Sequence, residues 1–249
     1  MYDLKSVTKF KTSDSVFILG AGPSLNMLQQ KHFEAISKHD SFGINFTFLK
    51  KEIIPTYHQI SYENNWGMEY QTRILSSRRK SLNDTVFFLN NKALYRMAHP
   101  RITPYFFSEE PKCCLYKLPD PISLERPRPF TDSDFDKTVF YRGTLTIVLE
   151  LVLNLNYKNI ILLGVDPDKV AYFFEDMEEM KPYCDRLYKR YREQGMKQYE
   201  NMVPKGKKFN TIDVYLYALK DYLSRKRDVN LFVGFKNNML NPGIPAYFE

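Results

Sequence analysis

The 249-residue sequence predicts an α/β fold: a Rossmann-like, mostly parallel open sheet with helices on both faces and a helical lid or appendage. Three observations carry this expectation. The runs Val16-Phe-Ile-Leu19 and Ile160-Ile-Leu-Leu163 are continuously apolar, as strands buried on both faces are, and each is followed directly by a glycine. Segments with helical patterning separate the strand-like runs along the whole chain. Hydrophobic residues make up 43% of the chain, enough for a large core and too many for disorder.

The elements follow in order. The first strand is Asp14–Gly20, and Pro23 and Ser24 then open a helix expected to run to Ile36. Ser41–Phe46 is a second strand, Thr56–Tyr62 and Thr85–Leu89 are two more, and Trp66–Ser77 is a helix between them. Residues 98–137 hold seven prolines among aromatic and charged residues, and they read as a long surface excursion. Thr144–Leu155 is a strongly apolar helix, followed by the strand Lys158–Asp166 with its Gly164-Val-Asp166 end. Residues 170–208 are charged, aromatic and expected to be a helical lid. Ile212–Lys226 is an amphipathic helix, Val229–Val233 a last strand, and Phe235–Glu249 an irregular tail. Residues 1–249 are read as a single Rossmann-like domain.

Composition narrows the function classes. The longest apolar stretches are about 5–6 residues, against the roughly 20 that a spanning helix needs. The N-terminal stretch MYDLKSVTKFKTSD has no apolar signal-peptide core. Three cysteines (113, 114 and 184) show no metal-binding spacing, which suits a reduced cytoplasmic setting. Lys plus Arg outnumber Asp plus Glu by 36 to 29, and the net charge of +7 points to an anionic partner. No nucleic-acid-binding module appears, so nucleic acid is not expected.

Three junctions carry candidate chemistry. In Gly20-Ala21-Gly22-Pro23-Ser24 the glycines let a ligand approach the backbone, and the helix start offers amide groups to a phosphate. A tight turn with Ser24 as a cap is the competing account, and the third glycine of the dinucleotide fingerprint is missing, since position 25 is Leu. In Gly43-Ile-Asn45 the asparagine ends a strand, where its amide can read a base or ribose, or where it simply makes a turn. In Arg142-Gly143-Thr144 the basic and hydroxyl groups stand at a helix start that favours anions. Asp166, at the end of its strand, can bind a ribose hydroxyl, hold Mg²⁺, act as a base or cap the next turn. Asp166-Pro-Asp168 has the spacing of a metal-binding carboxylate pair, so a Mg²⁺ requirement stays open.

Histidines and basic residues complete the inventory. His58, within the strand Thr56–Tyr62, stands where it could face the crevice and is the best-placed histidine for a base, while His32 and His39 are expected at the surface. His99-Pro100 is an isolated dipeptide. Tyr183–Lys208 interleaves tyrosines 183, 188, 191 and 199 with Arg186, Lys189, Arg190, Arg192, Lys197, Lys205, Lys207 and Lys208. That stretch reads as a solvated helix, as a lid over an anionic ligand, or as a contact with anionic lipid.

Taken together, Gly-x-Gly-Pro-Ser-Leu at 20–25, Gly-x-Asn at 43–45, Arg-x-Thr at 142–144 and Tyr-Lys-x-Ile-x-Leu-x-Gly-x-Asp at 157–166 carry a family resemblance. The chain resembles the bacterial sialyltransferases of the Campylobacter type and the related MptE-like group, which includes 6-hydroxymethylpterin diphosphokinases. The matching stretches are roughly 14–50 and 138–170. The resemblance implies that Gly20, Ala21, Gly22, Pro23, Ser24, Asn45, Gly164 and Asp166 hold the nucleotide. It implies that Arg142, Gly143, Thr144 and Tyr172 face the donor sugar. The sialyltransferases place a catalytic histidine downstream of Gly-x-Asp. Here all four histidines (32, 39, 58 and 99) lie upstream, so that lid base is missing or replaced, with His58, Asp166 or a glutamate as the candidate base beside Arg142.

The implied activity is a cytoplasmic glycosyltransferase, or one peripheral at the inner membrane. It would move an acidic sugar (Kdo, sialic acid or another nonulosonate) from a CMP-activated donor to a bacterial glycan or glycolipid such as lipopolysaccharide or capsule. No tightly bound cofactor is expected. The alternatives are an ATP- and Mg²⁺-dependent diphosphokinase using Asp166 and Asp168, and a non-catalytic nucleotide-binding protein of a glycan assembly complex.

Overall fold

A computed structural model of the chain describes residues 2–60, 65–90, 112–116, 130–135, 143–169, 171–193 and 211–249. Its centre is β1 (Ser15–Leu19), whose five residues are all buried because side chains on both faces meet helices. β1 pairs in parallel with β2 (Asp40–Ile44) on one side and with β6 (Asn159–Leu163) on the other. β3 (Tyr57–Ile60), β4 (Val86–Asn90) and β5 (Cys113–Tyr116) continue outward from β2, and β7 (Asn230–Val233) lies beyond β6. The order is β5-β4-β3-β2-β1-β6-β7, with every pairing parallel. The expected Rossmann-like α/β sheet is therefore present. Strands build leftward from β1 to β5 and then restart at β6, which puts the topological switch point between β1 and β6.

Among the described residues, five helices of seven residues or more support it. α1 (Gln30–Ile36), α2 (Asn65–Ser77) and α4 (Lys181–Glu193) lie on one face, where Ile36, Leu75, Cys184 and Leu187 join Phe17 and Leu19 in burial. α3 (Thr144–Asn154) and α5 (Ile212–Lys226) lie on the other, packing Val148, Val152, Leu216 and Leu219 against Val16, Ile18 and Phe42. Both sheet edges are covered. Tyr2 bridges to Cys114 beyond β4's neighbour, and Ala246 of the C-terminal tail bridges to Val233.

Several expectations are corrected. The first helix does not run unbroken from Ser24 to Ile36. Pro23–Met27 forms a 3₁₀ turn, Leu28 and Gln29 are extended, and α1 begins only at Gln30. The break is held by His32, whose Nδ1 accepts a hydrogen bond from the Gln29 backbone N–H at 2.9 Å. His32 is therefore not a surface residue. It is 6% exposed, with its ring against Phe235 and Phe248, and burial lowers its proton affinity. β2 ends at Ile44, because Asn45 turns into a positive φ of 53°. The 98–137 stretch is not purely a loop, since the apolar tetrapeptide Cys113–Tyr116 pairs in parallel with β4 and buries both cysteines. Asp132–Phe135 is a helical turn whose Phe135 ring packs on Tyr215 and Tyr222 of α5. Of the expected lid at 170–208, residues 181–193 form α4, and 194–208 lie outside the described residues.

Candidate functional site

At the switch point two loops leave neighbouring strands and lie directly on one another. The Gly20 N–H donates to the Leu163 carbonyl at 2.7 Å and the Gly22 N–H to the Gly164 carbonyl at 2.8 Å. A Cβ on Gly20 would stand 2.4 Å from the Gly164 oxygen, and one on Gly22 would stand 2.3 Å from Asp166 Oδ2. The glycines of the first motif are thus demanded by the other loop, whether or not a ligand approaches. Gly164 itself has φ +65°, a conformation that suits glycine.

Asp166 completes this junction. Its Oδ2 accepts from the Ser24 backbone N–H at 2.9 Å. Its Oδ1 accepts from Asn238 Nδ2 at 3.2 Å, and the same amide nitrogen donates to the Val165 carbonyl at 2.9 Å. The Leu240 N–H donates to Asn238 Oδ1 at 2.9 Å and so fixes which way the amide faces. Gly20, Gly22 and Ser24 were expected to turn amides toward a phosphate. All three amides are engaged by the β6 side of the junction, and the anion at Ser24 is the chain's own carboxylate. Burial raises the proton affinity of Asp166, the Ser24 hydrogen bonds partly offset this, and the neighbouring Asp168 adds to it. Two oxygens carry about four acceptor sites, and the Ser24 amide, the Ser24 hydroxyl and Asn238 take three of them, which leaves one for a ligand hydroxyl.

Pro23 opens the 3₁₀ turn beside this carboxylate, and Ala21 accepts from the Phe173 N–H at 3.0 Å. Segment 171–177 therefore lies on the first loop, a contact reinforced by Asn26 Nδ2 donating to the Phe173 carbonyl at 2.9 Å. Tyr172 stacks on Phe174 with centroids 5.1 Å apart, and its N–H donates to Glu175 Oε1 at 2.7 Å. The Tyr188 hydroxyl donates to the same carboxylate oxygen.

The second motif stands one strand away. Asn45 holds a left-handed backbone, and its carbonyl lies 2.8 Å from His58 Nε2. His58 has no exposed surface, and its ring packs edge-on against Phe48 and Phe87. Burial lowers its pKa to about 4. No acceptor hydroxyl reaches this ring, so the expectation of His58 as a base is corrected by its enclosure.

The third motif is reached in part. Thr144 opens α3, which leads into β6 and so starts at the end of the sheet where the other two motifs lie. Gly143 precedes it with φ +86°, and a Cβ added there would meet nothing within 4 Å. Its carbonyl accepts from the Thr146 hydroxyl at 3.0 Å. Arg142, His99 and the tyrosine and lysines beyond Glu193 lie outside the described residues. Asp168 pairs with the adjacent Lys169 at 3.1 Å. Among the described residues no group of three or more His, Cys, Asp or Glu side chains could hold a metal ion. Among them, too, no helix is long and apolar enough to cross a membrane.

α4 takes the arrangement of a solvated helix. Cys184 and Leu187 are buried and Tyr183 and Tyr188 half-buried, while Arg186, Lys189 and Arg192 are exposed. The Tyr183 ring rests on Phe46 at 4.6 Å and on Tyr70 at 5.5 Å, and the Tyr70 hydroxyl donates to the Glu179 carbonyl. Segment 171–193 thus covers the ends of the first and second strands with its aromatic side inward.

Two participants were not anticipated. Asn238 sits in a tail with no strand or helix pattern, and only the contact across 72 residues of sequence reveals it. The pairing of His58 with Gly43 and Asn45 was also hidden, because the strand register brings them together.

No protein-family profile matches the chain, and no curated protein does. Solved structures do resemble it. The sialyltransferase CstII in an asparagine-to-alanine variant bound to CMP superposes with a TM-score of 0.53 at 15% identity, covering 93% of this chain and 86% of that one. CstII from Campylobacter jejuni with cytidine-5'-monophosphate gives 0.53 at 15% identity, covering 93% and 84%. CstII with a trisaccharide acceptor and CMP gives 0.50 at 16% identity, covering 93% and 85%. At these identities the likeness is one of fold, and it agrees with the sialyltransferase half of the resemblance seen in the sequence.

Proposed function

We propose that this chain is a glycosyltransferase that takes an acidic sugar, such as sialic acid, Kdo or another nonulosonate, from a CMP-activated donor to a bacterial surface glycan. The observation that carries the reading is the meeting of Gly20–Ser24, Asn45 and Gly164–Asp166 at one end of one sheet, in a fold like that of CMP-binding sialyltransferases. Open α/β sheets bind ligands at such a switch point.

In this reading Asp166 accepts a hydrogen bond from a ribose hydroxyl and Asn45 reads the cytosine. Thr144, Arg142 and Tyr172 face the donor sugar and its carboxylate, where a positive charge offsets the negative donor. The acceptor oxygen bonds to the anomeric carbon as the bond to the CMP phosphate breaks, the electron pair leaves with CMP, and the hydroxyl proton passes to a base. Asp166 keeps exposed surface and serves as the base in this reading, while the enclosed His58 does not. The basic face of α4 lies beside this end of the sheet and suits an anionic glycan or lipid acceptor.

The test is CMP release from a panel of CMP-sugars with and without glycan acceptors, beside thermal stabilisation by CMP, CTP and ATP in EDTA and in Mg²⁺. Release from one acidic CMP-sugar and metal-independent stabilisation by CMP are expected. Stabilisation only by ATP with Mg²⁺, and no CMP release, would overturn the reading in favour of phosphoryl transfer.

A further inference from the structure

The Gly43-Ile-Asn45 motif has a partner that the sequence conceals. β2 and β3 pair so that Gly43 stands beside His58. A Cβ on Gly43 would lie 2.3 Å from His58 Nδ1 and 2.8 Å from the Thr47 hydroxyl oxygen. The glycine is thus the space in which the imidazole lies. From that space Nε2 reaches the Asn45 carbonyl at 2.8 Å, where Asn45 holds φ 53°. The neighbouring Ile44 N–H donates to Thr47 Oγ1 at 2.8 Å, which fixes the other side of the same turn. A carbonyl can only accept, so Nε2 carries the hydrogen and Nδ1 is bare. Nδ1 is buried and has no hydrogen-bond partner, which fits a neutral ring with one donor in use.

We propose that His58 is a positioning residue: as a neutral Nε2–H donor in the slot left by Gly43, it holds Asn45 in the left-handed turn that presents the Asn45 amide to the ligand at the sheet's end. The inference rests on the reading of that end as a nucleotide site. Its backbone half stands without it. Asparagine enters the left-handed region more readily than other non-glycine residues, yet the conformation still costs free energy that its surroundings can offset. His58 Nε2–H and Thr47 Oγ1 are those surroundings. Gly43→Ala should therefore act like a change at His58, by pushing the ring off the carbonyl.

The test uses the full chain. Nitrogen-15 NMR of histidine-labelled protein at neutral pH should show His58 as the neutral Nε2–H tautomer. Carbon-13 shifts of Asn45 should report positive φ in the wild type and in His58→Gln, whose amide still donates, and should lose it in His58→Phe. In CMP titrations His58→Gln should stay within about threefold of wild type and His58→Phe should bind about tenfold more weakly. Asn45→Gly takes positive φ unaided, so adding His58→Phe to it should cost no further affinity. If His58→Phe does not fold, Gly43→Ala and His58→Gln carry the same measurements. An Nδ1–H tautomer, or unchanged Asn45 shifts in His58→Phe and Gly43→Ala, would overturn the proposal. If wild-type protein ignores CMP, the nucleotide reading and with it the presenting role fall, while the tautomer and shift data still decide whether His58 holds the turn.

Discussion

Asp166→Asn separates a ligand-binding carboxylate from a structural cap. Asparagine keeps the shape and one acceptor oxygen. That oxygen can face the Ser24 N–H at 2.9 Å or the Asn238 amide at 3.2 Å, and its own NH₂ then opposes the other donor. One hydrogen bond to a charged acceptor is lost, about 1.5–3 kcal/mol. Against this, the substitution removes a carboxylate whose burial is the largest influence on it and outweighs both Ser24 bonds in direction. A carboxylate with raised folded-state proton affinity destabilises once ionised. That liability is absent below its unfolded pKa and complete above its folded one. At pH 7 the two effects oppose, so the net loss should fall below the about 1.5–3 kcal/mol of the hydrogen bond alone. Ligand affinity should respond otherwise. Losing a charge-assisted contact to a ribose hydroxyl should weaken CMP binding roughly 10–100-fold. The assays are calorimetric CMP titration and thermal unfolding of the same samples. A variant destabilised by more than about 3 kcal/mol with unchanged CMP affinity would refute the reasoning and make Asp166 a cap.

The remaining predictions concern the frame of the site. Gly22→Ala places a methyl 2.3 Å from Asp166 Oδ2 and 2.7 Å from the Gly164 oxygen, so it should abolish CMP binding at a stability cost of about 1–3 kcal/mol, measured by urea unfolding. Asp40, 1% exposed, accepts from the Thr12 and Ser13 N–H groups, the Thr12 hydroxyl and the Tyr157 hydroxyl. Asp40→Ala should cost on the order of 3–5 kcal/mol in the same assay, with CMP affinity per folded molecule unchanged. His58, with a pKa lowered to about 4 by burial and by the charge of Arg78, is neutral when folded and takes up a proton on unfolding below about pH 6.5. Its contribution is complete above that pH and is lost as pH falls toward 4, roughly 3 kcal/mol in all, which His58→Gln should remove from the pH–stability curve. Cys113, Cys114 and Cys184 have thiol pKa values pushed up to about 11 by burial, and thiol reagents should label them in native protein only as fast as it opens.

The strands next to the switch point were legible because a doubly buried strand has to be apolar without interruption, as Val16–Leu19 and Ile160–Leu163 are. β5 was not, because Cys113–Tyr116 is four residues long and sits among prolines and charges. Its membership depends on pairing with β4, which local composition does not encode. The break before α1 was hidden for a related reason. Leu25, Leu28 and Ile36 suit one helix by spacing, yet the His32 imidazole takes the Gln29 N–H and seats itself between Phe235 and Phe248 of the distant tail. Tertiary burial outweighed the local pattern.

The site residues divide along the same line. Position at a strand end is a local property, so Gly20, Asn45 and Asp166 could be placed at one end of the sheet from sequence. What each side chain does there depends on its neighbours. The glycines that resembled a phosphate cradle make room for the opposing loop, since Gly20 meets the Gly164 oxygen and Gly22 meets Asp166. The histidine that resembled a base is sealed behind Gly43 and grips Asn45. An anionic ligand at this end must therefore find its positive charge beyond the Ser24 amide, which Asp166 already occupies. The proposed reaction assigns that charge to Arg142 and the start of α3, and Arg142→Ala is then the variant in which donor binding should fail while binding of uncharged cytidine survives. Equal loss of CMP and cytidine binding in that variant would contradict this division of labour.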